Sequence, residues 1–203
     1  MIISSYNKDG IGDVLLVMTK SSVAKDQNFE TKGKITRIFN VLTKKTVGYN
    51  FFDSSDYFSI NANGPLTLNT EQISILNNFL LKQGFTDQLE GDEAPKFIIG
   101  YVKECISHPN SDHLSITQVE VDNQQVVQIV CGAANIAVGQ KVVVAKVGAM
   151  MPDGTAIWDG ELRGEKSRGM VCSAKELGIK EEQVKKGILV LPDSAVVGTE
   201  FQK

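Results

Sequence analysis

The chain's 203 residues carry 21 Lys plus Arg against 24 Asp plus Glu, a net charge of −3, with 42% hydrophobic and 22% charged residues. This length supplies one large hydrophobic core or two modest ones, and the composition excludes both a disordered chain and an α-helical membrane protein. The charge excludes capture of polyanions by bulk attraction, so a nucleic-acid partner has to be recognised at a local site.

The N-terminal Met1 to Asp9 places polar and acidic groups where a signal peptide has its apolar region. The apolar runs Val142 to Ala145 and Ile188 to Leu191 are far shorter than the ~20 residues of a membrane helix. The expectation is a cytoplasmic protein with no membrane partner. Strands are predicted over Asp13 to Thr19, Lys34 to Leu42 and Thr46 to Phe52. Asn63-Gly64-Pro65 reads as a turn, and Thr70 as the cap of a helix through Gly84, with Ile73, Leu76, Leu80 and Leu81 at helical spacing. The acidic, Gly- and Pro-bearing stretch Asp87 to Pro95 reads as a boundary. Residues 1–90 are therefore expected to form an α+β module, and residues 95–203 a second domain.

Lys20 to Lys45 holds seven basic residues against Asp26 and Glu30. It reads either as a second nucleic-acid surface or as a solvated loop and strand face, the latter being the ordinary case. The first module shows no acid, base or nucleophile constellation, and its role is left open.

In the second domain, strands are predicted over Phe97 to Glu104, Leu114 to Val121, Gln124 to Cys131, Lys141 to Lys146, Thr155 to Leu162 and Met170 to Ser173. Turn signals separate them at Asp122-Asn123, Val138-Gly139, Pro152-Asp153-Gly154 and Asp159-Gly160. Short strands at this spacing point to a closed or partly closed β-barrel of five or more strands. A barrel of that size is filled by its own side chains, so a ligand binds its outer face or mouth.

The three cysteines, Cys105, Cys131 and Cys172, form no disulfide framework and suit a reducing compartment. Cys105, His108, Asp112 and His113 are metal-ligand types within nine positions, but no second pair completes a tetrahedral set. The alternative reading is a structured turn built by Pro109, Asn110, Ser111 and Asp112. No Gly-x-Ser-x-Gly, phosphate-loop or dinucleotide motif occurs, so no enzyme activity, cofactor or small-molecule substrate is expected.

The remaining constellation is ordered: His108-Pro109-Asn110-Ser111-Asp112-His113-Leu114, Ile129 to Asn135, Gly139-Gln140-Lys141-Val142, and Leu162-Arg163-Gly164-Glu165-Lys166-Ser167-Arg168-Gly169-Met170-Val171-Cys172-Ser173. Together these resemble the tRNA-binding OB-fold domain of the phenylalanyl-tRNA synthetase β-subunit, the methionyl-tRNA synthetase appendage and the EMAP-type proteins. The resemblance covers about residues 97 to 200. The arrangement of the whole chain resembles the bacterial YtpR-type tRNA-binding-domain proteins. It implies an all-β Greek-key OB-fold, tRNA as partner, binding without aminoacyl transfer, and a homodimer. His113 stands where the family usually has Lys or Glu.

For that surface Arg163, Lys166 and Arg168 offer phosphate contacts, Ser167 a hydroxyl donor, and Met170 a deformable apolar contact. Asn135 offers a donor and an acceptor for a base edge or 2′-hydroxyl, and Lys141 and Lys146 extend the charged rim. The alternatives are structural: Met170 in the core, Arg163 paired with Glu161 or Glu165, and Asn135 as a loop cap. Scarce aromatics leave base stacking little to contribute. A rival class is a protein-interaction or assembly module, which an exposed apolar patch over residues 184 to 201 favours.

Overall fold

Val14–Met18 (β2), apolar at every position, lies inside a sheet with Leu15 and Val17 buried on one face and Val14, Leu16 and Met18 half-buried on the other. The computed structural model describes residues 1–91, 93–179 and 186–202. It divides into two compact units, Met1–Ala94 and Pro95–Lys203.

In the first unit β2 lies between Ile3–Asn7 (β1) and Thr46–Phe52 (β5). The sheet extends through Ile35–Asn40 (β4) to Gln27–Lys32 (β3) on one side, and to Asn63–Leu66 (β6) on the other. A four-residue helix, Lys8–Ile11 (α1), links β1 to β2, and Thr70–Lys82 (α2) packs Ile73, Leu76 and Leu80 against Leu15, Val17, Ile35, Tyr49 and Phe51. Each such side chain, fully buried, contributes about 1.5–3 kcal/mol.

Two local expectations are corrected here. Asn63-Gly64-Pro65 is strand, because β6 is an edge strand on which proline's missing N–H costs no ladder bond. The cap of α2 is Asn69, whose side chain accepts from the Gln72 amide at 2.9 Å while Gln72 Oε1 accepts from the Asn69 amide at 3.0 Å. Thr70 is already helical and gives both its N–H and its hydroxyl to Glu93.

The helix stops at Gly84, which adopts φ +75 so that its amide reaches the Leu81 carbonyl and that of Phe85 reaches Leu80, both at 2.9 Å. Gly84→Ala meets open space apart from Lys32 Nζ at 3.8 Å, so its penalty is the left-handed backbone alone. A loss of about 1–2 kcal/mol is expected, read as a shift in the urea midpoint at constant slope.

The second unit begins with Phe97–Ser107 (β7), Ser115–Glu120 (β8) and Val126–Cys131 (β9), an antiparallel meander. Lys141–Ala145 (β10) pairs with the other side of β7. It buries Val142 and Val144 on one face and Val143 and Ala145 on the other, which is why it is an unbroken apolar run. Asp159–Leu162 (β11) and Glu165–Arg168 (β12) form a hairpin, while Met170–Val171 (β13) and Val190–Leu191 (β14) both pair with β10. The sheet order is β13-β10-β7-β8-β9, and β12 and β13 also lie along β9, so the sheet curls into a nearly closed barrel. Ile98, Val102, Val119, Ile129, Val142 and Val144 fill its interior. A second apolar cluster, including Ala149, Met151, Ile157, Cys172 and Leu177, covers the outer face of β10. The fold is thus mostly β with few helices. Thr155 to Leu162, predicted as one strand, is a bridge of Ala156 to Met150 followed by β11.

Candidate nucleic-acid interface

Where β9 runs into the loop Gly132 to Ala134, a cleft of about 800 Å³ opens on the barrel. Its lining is chiefly apolar, including Ala133, Ala134, Ile157, Trp158, Leu162, Met170 and Ile188. Leu162 is 44% exposed in an otherwise polar hairpin, and Trp158 is half-buried beside it. Such an apolar slot accepts a flat, weakly polar group, and the polar groups around it decide which.

The β11–β12 hairpin is one wall, and its turn, Arg163-Gly164 at φ +49 and +93, has the left-handed pair of angles a two-residue hairpin needs. His108 holds it. The ring is 3% exposed, its Nδ1 accepts from the Asn110 amide at 3.0 Å, and its Nε2 therefore carries the proton donated to the Leu162 carbonyl at 3.1 Å. Arg163 adds a bond from Nη1 to the Asn110 carbonyl at 3.0 Å. At the other end Gln128 donates to the Lys166 carbonyl at 2.9 Å, docking β12 on β9.

Strand alternation then sorts the side chains. Gly160, Leu162 and Ser167 face the cleft, while Asp159 stands opposite Arg168, and Glu161 opposite Lys166, on the other face. Arg168 reaches Asp159 at 3.7 Å, both side chains well exposed, an ion pair worth under about 1 kcal/mol. The hairpin's other face is therefore of mixed sign, Lys166 and Arg168 standing against Asp159 and Glu161, while Arg163 sits in the turn and Glu165, opposite Leu162, accepts from Gln128 Nε2 at 3.3 Å. Arg163 makes no ion pair with Glu161 or Glu165 among the described residues; its recorded partner is the Asn110 carbonyl.

The other residues singled out from the sequence are placed differently. Ser167 is 5% exposed; its Oγ accepts from the Val130 amide at 3.1 Å and donates to the Gly169 carbonyl at 3.3 Å, so its hydroxyl is committed to the barrel. Asn135 spends its carboxamide on Ile188, donating to the carbonyl at 3.0 Å and accepting from the amide at 2.9 Å. Lys141 Nζ clamps the Asp193 and Ala195 carbonyls, and Lys146 pairs with Asp122 at 2.7 Å, so neither is left on a charged rim. Met170 lines the cleft and packs on the outer cluster. Asn135's grip on Ile188 brings Lys186 to the cleft, a cation the sequence reading passed over because it adjoins an apolar run.

Of the apolar stretch from 184 to 201, Val184 lies outside the described residues. Ile188 is buried, Leu189, Leu191 and Phe201 pack on the barrel, and Val190 and Val196 are exposed.

Among the described residues no three His, Cys, Asp or Glu side chains converge to hold a metal ion. His108 has both ring nitrogens engaged with backbone, and His113 meets Asp112 at 2.8 Å on the surface. Burial raises the Cys131 thiol above its ordinary value and pushes Cys172 up to about 12, so both are protonated at neutral pH. No described helix is long and apolar enough to cross a membrane.

Residues 97–200 match the family model described as "Putative tRNA binding domain", and residues 22–92 match a domain family of unknown function. The "Putative tRNA-binding protein YtpR" of Bacillus subtilis is 46% identical over 197 residues, covering 97% of this chain and 98% of that protein. The phenylalanine–tRNA ligase beta subunits of Halalkalibacterium halodurans and Geobacillus kaustophilus are 49% and 48% identical over 107 residues, 51% of this chain but 13% of each of theirs. The curled sheet, the His108-anchored hairpin and the cleft all lie inside the matched span, and the chain belongs to this tRNA binding domain family.

Proposed function

We propose that this protein binds tRNA without catalysis, through residues 95–203. The observation that carries the reading is the family match over residues 97–200, which falls on the barrel bearing the apolar cleft and its cation-bearing hairpin. We read the barrel as an OB-fold: a three-strand meander (β7, β8, β9), a fourth strand (β10) back beside the first, and a fifth (β13) between the fourth and the third, in accord with the sheet order.

On this reading Arg163, Lys166, Arg168 and Lys186 meet phosphates, while Leu162, Trp158 and Met170 meet an unstacked base or a ribose. Ser167, Asn135, Lys141 and Lys146 set the positions of the strands and loops that carry them. The division of the chain follows: residues 95–203 form the tRNA-binding domain, and residues 1–90 a separate module whose role this reading leaves open. The reading assigns no catalytic step, since the buried thiols are held protonated, and it goes with a cytoplasmic address.

Filter binding of bulk tRNA across a salt series tests it. The unmodified protein is expected to bind with an affinity that falls steeply with salt. Arg163→Ala/Lys166→Ala/Arg168→Ala should flatten the log–log slope by about 2–3 and weaken binding at low salt at least about tenfold. Equal binding and equal slopes in the two proteins overturn the site. The same reading carries a homodimer, with Val190 and Val196 as exposed apolar residues available to it. Light scattering should give twice the monomer mass, and a strict monomer overturns the dimer.

A further inference from the structure

The first unit holds a concavity that the tRNA reading does not use. A cleft of about 510 Å³ has Arg37, Thr46, Tyr49 and Asp87 in its floor and Lys20, Lys44 and Lys45 around it. The structure sorts the basic excess of Lys20 to Lys45. Lys34 is paired at 2.8 Å with both Asp53 and Asp56, and Lys32 sits over the Phe85 ring at 4.5 Å. Lys20, Lys44 and Lys45 are exposed, have no ion-pair partner among the described residues and all line this one cleft, Lys44 Nζ standing at the looser distance of 5.9 Å from the Phe39 ring.

The cleft is built rather than incidental. Arg37, its side chain 18% exposed, donates from Nε to Thr46 Oγ1 at 2.6 Å and from Nη2 to the Lys44 carbonyl at 2.7 Å. That carbonyl is presented because Lys44 holds φ +58, a left-handed backbone unusual for lysine. Asn40 secures the turn by accepting from the Leu42 and Thr43 amides at 3.0 and 2.9 Å. Asp87 is engaged by Thr46 Oγ1 and Arg37, which leaves Glu90 as the one further carboxylate among the described residues lining the cleft, against Lys20, Lys44 and Lys45.

We propose that this cleft binds a phosphate group, with Lys20, Lys44 and Lys45 as its charged ligands. Compact ammonium heads on flexible stems converge on a tetrahedral anion without needing the flat geometry of a guanidinium, and Arg37 keeps the floor from presenting a bare carboxylate. The phosphate is either that of a small ligand or that of an RNA backbone. The site lies in the first unit and stands independently of the tRNA surface assigned to the second.

The full chain is titrated at low salt with inorganic phosphate, a nucleoside monophosphate and a short RNA oligonucleotide, following backbone amides of residues 19–20 and 43–47 by NMR. Saturable shifts there with at least one probe are expected. Lys20→Gln/Lys44→Gln/Lys45→Gln should weaken that probe by about fivefold or more relative to Lys8→Gln/Lys25→Gln/Lys82→Gln, which removes the same charge elsewhere on the unit. Response to the two small probes assigns a small ligand, and response to the oligonucleotide alone assigns an RNA backbone. Absence of saturable shifts with all three, or a loss below that margin, overturns the site. Loss of tRNA binding in the Arg163, Lys166 and Arg168 variant with these shifts intact separates the two surfaces.

Discussion

Gly100→Val is expected to cost the second unit more than about 3 kcal/mol, a large part of the 5–15 kcal/mol that typically holds a domain together. Gly100 lies on β7 between Ile98 and Val102, on the face that points into the barrel. A Cβ there would stand 2.7 Å from Val144 Cγ2, 2.8 Å from Val119 Cγ1 and 3.2 Å from the Glu120 carbonyl. Both valines are fully buried, and the carbonyl is backbone, so nothing nearby yields cheaply. The missing side chain is what lets β8 and β10 bring their valines together across β7. Urea unfolding should show the second unit's transition at a much lower midpoint. Gly160→Val is the comparison: no atom lies within 4 Å of a Cβ there, and a change within about 0.5 kcal/mol is expected. Similar midpoints for the two variants would show that the barrel relaxes around Gly100.

His108→Ala is expected to cost about 2–4 kcal/mol and, by loosening the hairpin, to lower tRNA affinity as well. The substitution leaves a void under a residue 3% exposed and strips partners from the Asn110 amide and the Leu162 carbonyl. Leu162 and Arg163 are the hairpin's contributions to the cleft and its edge, so freeing them blurs the surface that has to be rigid to bind. His108→Asn is the graded control, because Oδ1 can replace Nδ1 as acceptor for Asn110 while nothing reaches Leu162. It should fall between the unmodified protein and His108→Ala in both stability and affinity. An alanine variant with unchanged melting and binding would remove His108 from the hairpin's support.

What was legible in the sequence was what depends on neighbours along the chain. The apolar run of β10 was readable because a central strand buried on both faces has to be apolar throughout, and Thr46–Phe52 because β-favouring Val47, Tyr49, Phe51 and Phe52 run up to the turn residues Asp53 to Asp56. The helix of Thr70–Lys82 was readable from its apolar spacing, although the cap belonged to Asn69. The strands that escaped, Ile3–Asn7, Gln27–Lys32 and Asn63–Leu66, are polar or edge strands whose extended backbone is stabilised by the partner they pair with. Glu165–Arg168 is strand because an Arg-Gly turn folds it back on Asp159–Leu162.

The same division runs through the candidate site. The family was legible because its motifs are short, local and in fixed order, and the turn residues that shape them act on their immediate neighbours. Which polar atoms remain free for a ligand was not. Asn135 is occupied by Ile188, 53 residues away, Ser167 by Val130, 37 away, and Lys141 by the carbonyls of Asp193 and Ala195. His108 reaches Leu162 across 54 residues. By itself the sequence determined the strand-rich second half, the family and the residue types available to it. Only the tertiary structure decided which of those side chains face the cleft and which satisfy backbone groups the short strands leave unpaired, because a buried donor or acceptor must be matched by whatever the fold brings within about 3 Å.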